Sequence, residues 1–151
     1  TINVLQAMIL TQEEKMLLTP TYHVFDMYKQ HQGATSVRVL VDTPKIVSEG
    51  DESIEVPQIT GSASVRDDEL FLTLTNNSIS DECEVQLELL GLNIDAAKDI
   101  KIEQLTSGDA RDHNTFDNPT RIRPESKVTN WNNGVVILPP HSVTAITIEL
   151  R

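Results

Sequence analysis

The sequence predicts an all-β protein, an antiparallel β-sandwich of jelly-roll-like form, with one strand and one helix placed ahead of it. Three observations predict this. From about residue 34 onward, apolar and polar residues alternate at period 2 in short segments, the spacing that puts one side of a strand on a core and the other toward water. Turn residues separate these segments at short intervals, a pattern that favours a sandwich. Before Gly33 the alternation is nearly absent, and a long apolar run leads into a stretch with helix signals instead. This change of character sets a boundary that divides the chain into residues 1–33 and 34–151.

Ile2 to Leu10 is largely apolar, as in a strand buried on both faces, and Thr11 to Lys15 is a polar connection. A helix is predicted next. The Thr19 hydroxyl is placed to cap it, and Pro20 falls where its missing N–H is harmless. Val24, Phe25 and Tyr28 share one face, and Gly33 stops the helix. Strands are predicted near residues 36–41, 53–59, 62–66, 69–75, 84–90, 99–105, 135–138 and 142–150. The last is the clearest: Val143, Ala145, Thr147 and Glu149 face one way, Thr144, Ile146, Ile148 and Leu150 the other. Leu70, Leu72 and Leu74 alternate with Phe71, Thr73 and Thr75 in the same manner, and Asn76-Asn77 supplies a turn. Residues 106–134 are rich in Gly, Asn, Asp and Pro with little periodicity, which predicts an ordered excursion without regular structure.

Composition excludes several functions. Twenty-three acidic residues against 12 basic ones leave a net charge of −11, and a field of that sign repels phosphate backbones and anionic headgroups. Neither nucleic acid nor an acidic membrane is a predicted partner. No stretch approaches the roughly 20 apolar residues of a bilayer span, and the N-terminus lacks the basic flank of a signal peptide. The chain therefore reads as soluble, cytoplasmic or exported. Cys83 is the single cysteine, so no internal disulfide and no thiolate metal cage is expected.

The remaining candidates are weaker signals. His23, His31, His113 and His141 show no pair at zinc-ligand spacing. Asp109, Asp112 and Asp117 could supply oxygen ligands to calcium, but their spacing matches no calcium-loop signature. No metal and no cofactor is predicted. Trp131, the one tryptophan, is a candidate platform for stacking a sugar ring, set against a packing role. Asn76-Asn77-Ser78 is a glycosylation sequon. In Asn114 to Pro119 the polar side chains are expected to bond their own backbone, with Phe116 anchoring the loop in the core.

Two segments carry a family resemblance. Asn3-Val4-Leu5-Gln6-Ala7-Met8-Ile9-Leu10-Thr11 and Leu18-Thr19-Pro20-Thr21-Tyr22-His23-Val24-Phe25-Asp26-Met27-Tyr28 resemble the end of the catalytic barrel in family 51 glycoside hydrolases, the α-L-arabinofuranosidases. Asn114 to Pro119 and Leu138-Pro139-Pro140-His141-Ser142-Val143 resemble two segments of that family's C-terminal sandwich. The resemblance implies that the chain is the C-terminal region of such an enzyme, with residues 1–33 holding the last strand (Ile2 to Met8) and last helix (Pro20 to Gln32) of an incomplete (β/α)8 barrel.

The family hydrolyses terminal α-L-arabinofuranosyl groups with retention, which takes two carboxyl groups about 5 Å apart. Both glutamates of the family lie on earlier barrel strands, and none of Glu13, Glu14, Glu49, Glu52 or Glu55 lies in a matching motif. No catalytic residue is assigned, and the chain alone is expected to be inactive. Gln6 matches a family glutamine that hydrogen-bonds the arabinofuranose, and a side-chain amide can both donate to and accept from sugar hydroxyls. The implied partners are arabinofuranosyl oligosaccharides or polysaccharides such as arabinan and arabinoxylan, the missing barrel, and further copies in a homo-oligomer. Residues 1–12, too apolar to stay in water, are expected to cover sandwich surface or to mediate association between chains. The reading from a different class is an independent carbohydrate-binding β-sandwich module with Trp131 and polar loops as its site.

Overall fold

A computed structural model describes residues 2–4, 6–47, 54–92, 94–95 and 98–150. Residues 2–4 and 6–8 form a bridge, bends and a turn that lead into a hairpin of β1 (Ile9–Gln12) and β2 (Lys15–Leu18). Helix α1 (Pro20–Tyr28) follows and tightens into a 3-10 turn over Lys29–His31. The rest is strand: β3 (Thr35–Val37), β4 (Lys45–Val47), β5 (Glu55–Pro57), β6 (Ile59–Arg66), β7 (Glu69–Asn76), β8 (Cys83–Gln86), β9 (Asp99–Leu105), β10 (Glu125–Asn130), β11 (Val135–Leu138) and β12 (Ser142–Glu149).

The principal sheet has six antiparallel strands in the order β10-β9-β12-β7-β6-β3. At its centre β12 pairs with β7 over eight residues, from Ser142 opposite Asn76 to Glu149 opposite Glu69, and with β9 on its other side. Thr144, Ile146 and Ile148 point into one core beside Leu70, Leu72, Leu74, Ile100 and Ile102. That core is closed by Val136, Leu138 and Trp131, with Val85 and Leu87 packed at its margin. Thus β8 and β11, paired with each other, form the second layer. Burying each large apolar side chain is worth about 1.5–3 kcal/mol, so this single core supplies most of the drive to fold.

The other face of the sheet carries the helix. Val143 and Ala145 of β12 pack with Val24 and Met27 of α1, with Leu105 and with Ile122. Polar contacts finish the join. The two ring nitrogens of His31 lie 2.7 Å from Ser64 Oγ and 3.0 Å from Thr73 Oγ1, and Arg66 donates to the Gln32 carbonyl at 2.7 Å.

The all-β expectation holds, with strands at 99–105 and 135–138 as predicted and that at 142–149 one residue shorter. Several local readings change, among them the strands expected over 36–41 and 84–90, which end at Val37 and Gln86, and β4, which was not expected. The strand expected over Ile2–Met8 does not form, because a strand buried on both faces needs neighbours and no strand among the described residues pairs with it beyond one bridge from Ile2 to Ile9. The strand that feeds the helix is β2 instead. Residues 106–134 contain β10, missed because all six of its residues are exposed and leave no apolar alternation to read. Asn76 ends β7 rather than forming a turn, and the positive-φ turn is Asp67-Asp68, at 51° and 64°. Finally, the regular helix stops at Tyr28, short of the predicted Gln32, with Gly33 following the 3-10 turn at φ 72°.

Candidate functional site

Gln6 sits in a tight turn whose backbone is fastened on both sides. The Ala7 N–H donates to the Val4 carbonyl at 2.9 Å, and Gln6 itself takes φ 58°, a conformation that costs a residue with a Cβ and persists only where the surroundings impose it. Ala7 is buried while Gln6 is exposed, so the turn is pinned next to the side chain it presents. Upstream, Asn3 bonds Thr11 twice, as donor to its hydroxyl at 2.8 Å and as acceptor from its N–H at 2.7 Å.

Thr19, at the end of β2, completes the arrangement. Its backbone has the extended φ and ψ of a helix cap and Pro20 follows as predicted, yet its hydroxyl makes no cap bond. It donates instead to the Ala7 carbonyl at 2.7 Å, with the Met8 carbonyl at 3.2 Å, while the Thr19 N–H donates to Met8 at 3.0 Å. A side-chain cap is worth about 1 kcal/mol, and here that bond is diverted to the Gln6 turn. Sequence reasoning missed this because Thr before Pro at a helix start reads as a cap. The Asn114 amide supports the same end of β2 from below, donating to Leu18 O at 2.8 Å and to Ile122 O at 2.9 Å.

The other candidates are occupied by structure. Trp131 is 5% exposed within the main core, so it cannot serve as a sugar platform. Gly134 passes so close that a Cβ there would lie 2.3 Å from Leu87 O and 3.0 Å from the indole. Asn76 of the sequon is 2% exposed and donates to the carbonyls of Asp81, Leu138 and Pro139, which leaves no amide for a glycan. Asn114 makes backbone bonds as expected, but the apolar anchor of its loop is Ile122, buried under α1, while Phe116 stays at the margin.

No group of three His, Cys, Asp or Glu among the described residues is placed to hold a metal ion. Asp109 is taken by Arg111, whose guanidinium hydrogen bonds, helped by its backbone N–H, hold the carboxyl down to about 2. Asp112 is paired with Arg121. Of the glutamates, Glu55 pairs with Lys45 at 2.6 Å, Glu13 and Glu14 are exposed in the β1–β2 turn, and Glu49 and Glu52 lie outside the described residues. Two shallow clefts, of about 200 Å³ beside Asp26 and Lys29 and about 330 Å³ beside Gln104 and Lys127, are lined by no aromatic side chain.

The profile of the family described as the alpha-L-arabinofuranosidase C-terminal domain matches residues 1–142. The chain belongs to this family. The chain is 32% identical over 151 residues to an intracellular exo-alpha-L-arabinofuranosidase of Bacteroides ovatus, spanning 99% of this chain and 29% of that protein. It superposes on the GH51 arabinofuranosidase of Xanthomonas axonopodis pv. citri with a TM-score of 0.79 at 35% identity, covering 98% of this chain and 30% of that one. The alpha-L-arabinofuranosidase of Thermotoga maritima gives a TM-score of 0.86 at 25% identity, with 99% and 33% covered. The domain thus spans about three tenths of the length of each relative, the C-terminal portion by the family's description. No helix among the described residues is long and apolar enough to cross a membrane.

Proposed function

We propose that this domain is the supporting sandwich of a retaining α-L-arabinofuranosidase, which releases terminal α-L-arabinofuranosyl groups from arabinan, arabinoxylan or their oligosaccharides, and that both catalytic glutamates lie in the part of the relatives' length it does not span. The observation that carries this reading is the family match over residues 1–142. Exposed apolar side chains support it: Ile2, Val4, Met16 and Phe25, on the N-terminal turn, the hairpin and the helix, are each more than half exposed, as expected of side chains that meet a catalytic barrel. In this reading residues 1–33 belong to the barrel, with α1 in its last helix, and residues 34–151 are the sandwich.

Gln6 is the one residue proposed to meet the sugar. Barrel enzymes bind substrate at the C-terminal ends of their strands, where the family resemblance puts Gln6, and the bond from Thr19 holds the turn that carries it. The description of the Bacteroides ovatus relative as intracellular supports a cytoplasmic enzyme, and a homo-oligomer is the proposed assembly.

Turnover of 4-nitrophenyl α-L-arabinofuranoside by the full-length polypeptide and by residues 1–151 alone tests the reading. Activity of the former with silence of the latter is expected. Activity of the isolated domain would overturn it. Binding of arabinan by the isolated domain would favour the carbohydrate-binding module instead.

A further inference from the structure

We propose that Thr19 is a positioning residue for Gln6, holding by its side-chain hydroxyl the turn that presents the amide to the sugar. The inference rests on the substrate contact proposed for Gln6. Three observations carry it.

The hydroxyl of Thr19 is the side-chain tie between the Gln6 turn and the end of the strand that feeds the helix. Its one proton goes chiefly to Ala7 O at 2.7 Å, with Met8 O at 3.2 Å. Ala7 is the residue immediately after Gln6, so the bond fixes the peptide from which the Gln6 side chain is aimed. The second observation is the positive φ of Gln6. Left to itself, a residue with a Cβ relaxes out of that region. Such a turn needs an external hold, and the buried Ala7 with its carbonyl tied to Thr19 supplies one. The third is the missing cap: a threonine with cap backbone geometry, followed by proline, gives up the local bond that favours the helix. Departures from local preference of this kind concentrate where function sets the geometry.

Thr19 makes no contact with the sugar in this account. It acts through distance and angle, and small displacements of a substrate-orienting group cost rate because the reacting geometry is narrow.

Five variants of the full-length polypeptide, four single and one double, test the proposal by steady-state hydrolysis of 4-nitrophenyl α-L-arabinofuranoside. Thr19→Val keeps the shape and removes the proton. Thr19→Asp restores a strong helix cap but sets a carboxylate against the two carbonyls, so it separates helix stability from positioning. Both are expected to lower kcat/KM by about tenfold, and Thr19→Ser, which keeps the hydroxyl, is expected to stay within about twofold. Gln6→Ala is expected to lose at least as much as Thr19→Val. Adding Thr19→Val to Gln6→Ala is expected to cost less than about twofold more, since a positioner has nothing left to position.

The outcomes separate. If Gln6→Ala leaves kcat/KM unchanged, the substrate contact fails and the proposal falls with it. If Gln6→Ala is impaired while Thr19→Asp is not, the contact stands and the positioning role is overturned. Fully additive losses in the double variant overturn it too, because Thr19 then acts by another route. Should Thr19→Val prove unstable by its melting temperature, the Thr19→Asp and Thr19→Ser pair decides the question.

Discussion

Buried amides do more for this domain than their number suggests. Asn76 satisfies three carbonyls at once, those of Asp81 at 2.8 Å, Leu138 at 3.1 Å and Pro139 at 3.0 Å, and so ties the end of β7 to the turn that precedes β12. Its Oδ1 accepts from the Ser78 N–H as well. Asn76→Ala is expected to destabilise the domain by about 3 kcal/mol, because buried carbonyls lose partners that water cannot replace. Urea unfolding at constant m-value measures this. His31 gives a pH dependence. Burial lowers its imidazole below the ordinary 6.5, and burial lowers His23 too, against the opposing pull of Asp26 and Glu103. The unfolded chain then takes up protons at a pH where the folded chain does not. The contribution is therefore complete above pH 6.5 and is lost as the pH falls through the folded value. Melting temperature across pH 4 to 8, about the span over which histidine titrates, is expected to fall on the acid side, with a shallower slope in His31→Gln.

The elements differ in how firmly the chain specifies them. The hairpin of β6 and β7 turns on Asp67 and Asp68, both at positive φ, although Asn-Gly suits a two-residue turn of this hand better. Replacing the pair by Asn-Gly is expected to raise stability by about 0.5–1 kcal/mol, read as a shift in the urea midpoint. At the sheet edge, β10 exposes all six of its residues and pairs on one side only, with β9. Lys127 is among the charges that blunt this edge. Lys127→Val, which makes a Val-Val pair beside Val128, is expected to increase light scattering on concentration. The absence of such an increase would show that the strand is protected by other means.

For the molecule as a whole, the decisive feature is a set of exposed apolar side chains on the N-terminal turn, the hairpin and the helix. Ile2, Val4, Met16 and Phe25 are 58%, 53%, 61% and 64% exposed, and burying large side chains of this kind is worth about 1.5–3 kcal/mol each. The isolated domain is expected to associate as its concentration rises, and Met16→Lys with Phe25→Glu to keep it at its monomer mass of 16.8 kDa by light scattering. A monomer in the unsubstituted domain at high concentration would show that these side chains are satisfied within one chain. The sequence reading of residues 1–12 as a segment in need of a partner is met in part: Ala7 is buried and Met8, Ile9 and Leu10 are half-buried, while Ile2 and Val4 are exposed.

What the sequence determined by itself was the alternation in β9 and β12, because a strand with its main core on one side writes its geometry into every second residue. It also determined the helix start, where Pro20 restricts the backbone whatever surrounds it. Tertiary structure alone decided the rest. The edge strand β10 has no buried face and so left no periodic trace, and the described residues of the apolar run at Ile2–Met8 form no strand for want of neighbouring strands. The site was legible only as a residue. Gln6 could be singled out from the chain, but its turn is held by a hydroxyl 12 positions from the carbonyl it bonds, and a contact between such separated segments exists only once the chain has folded.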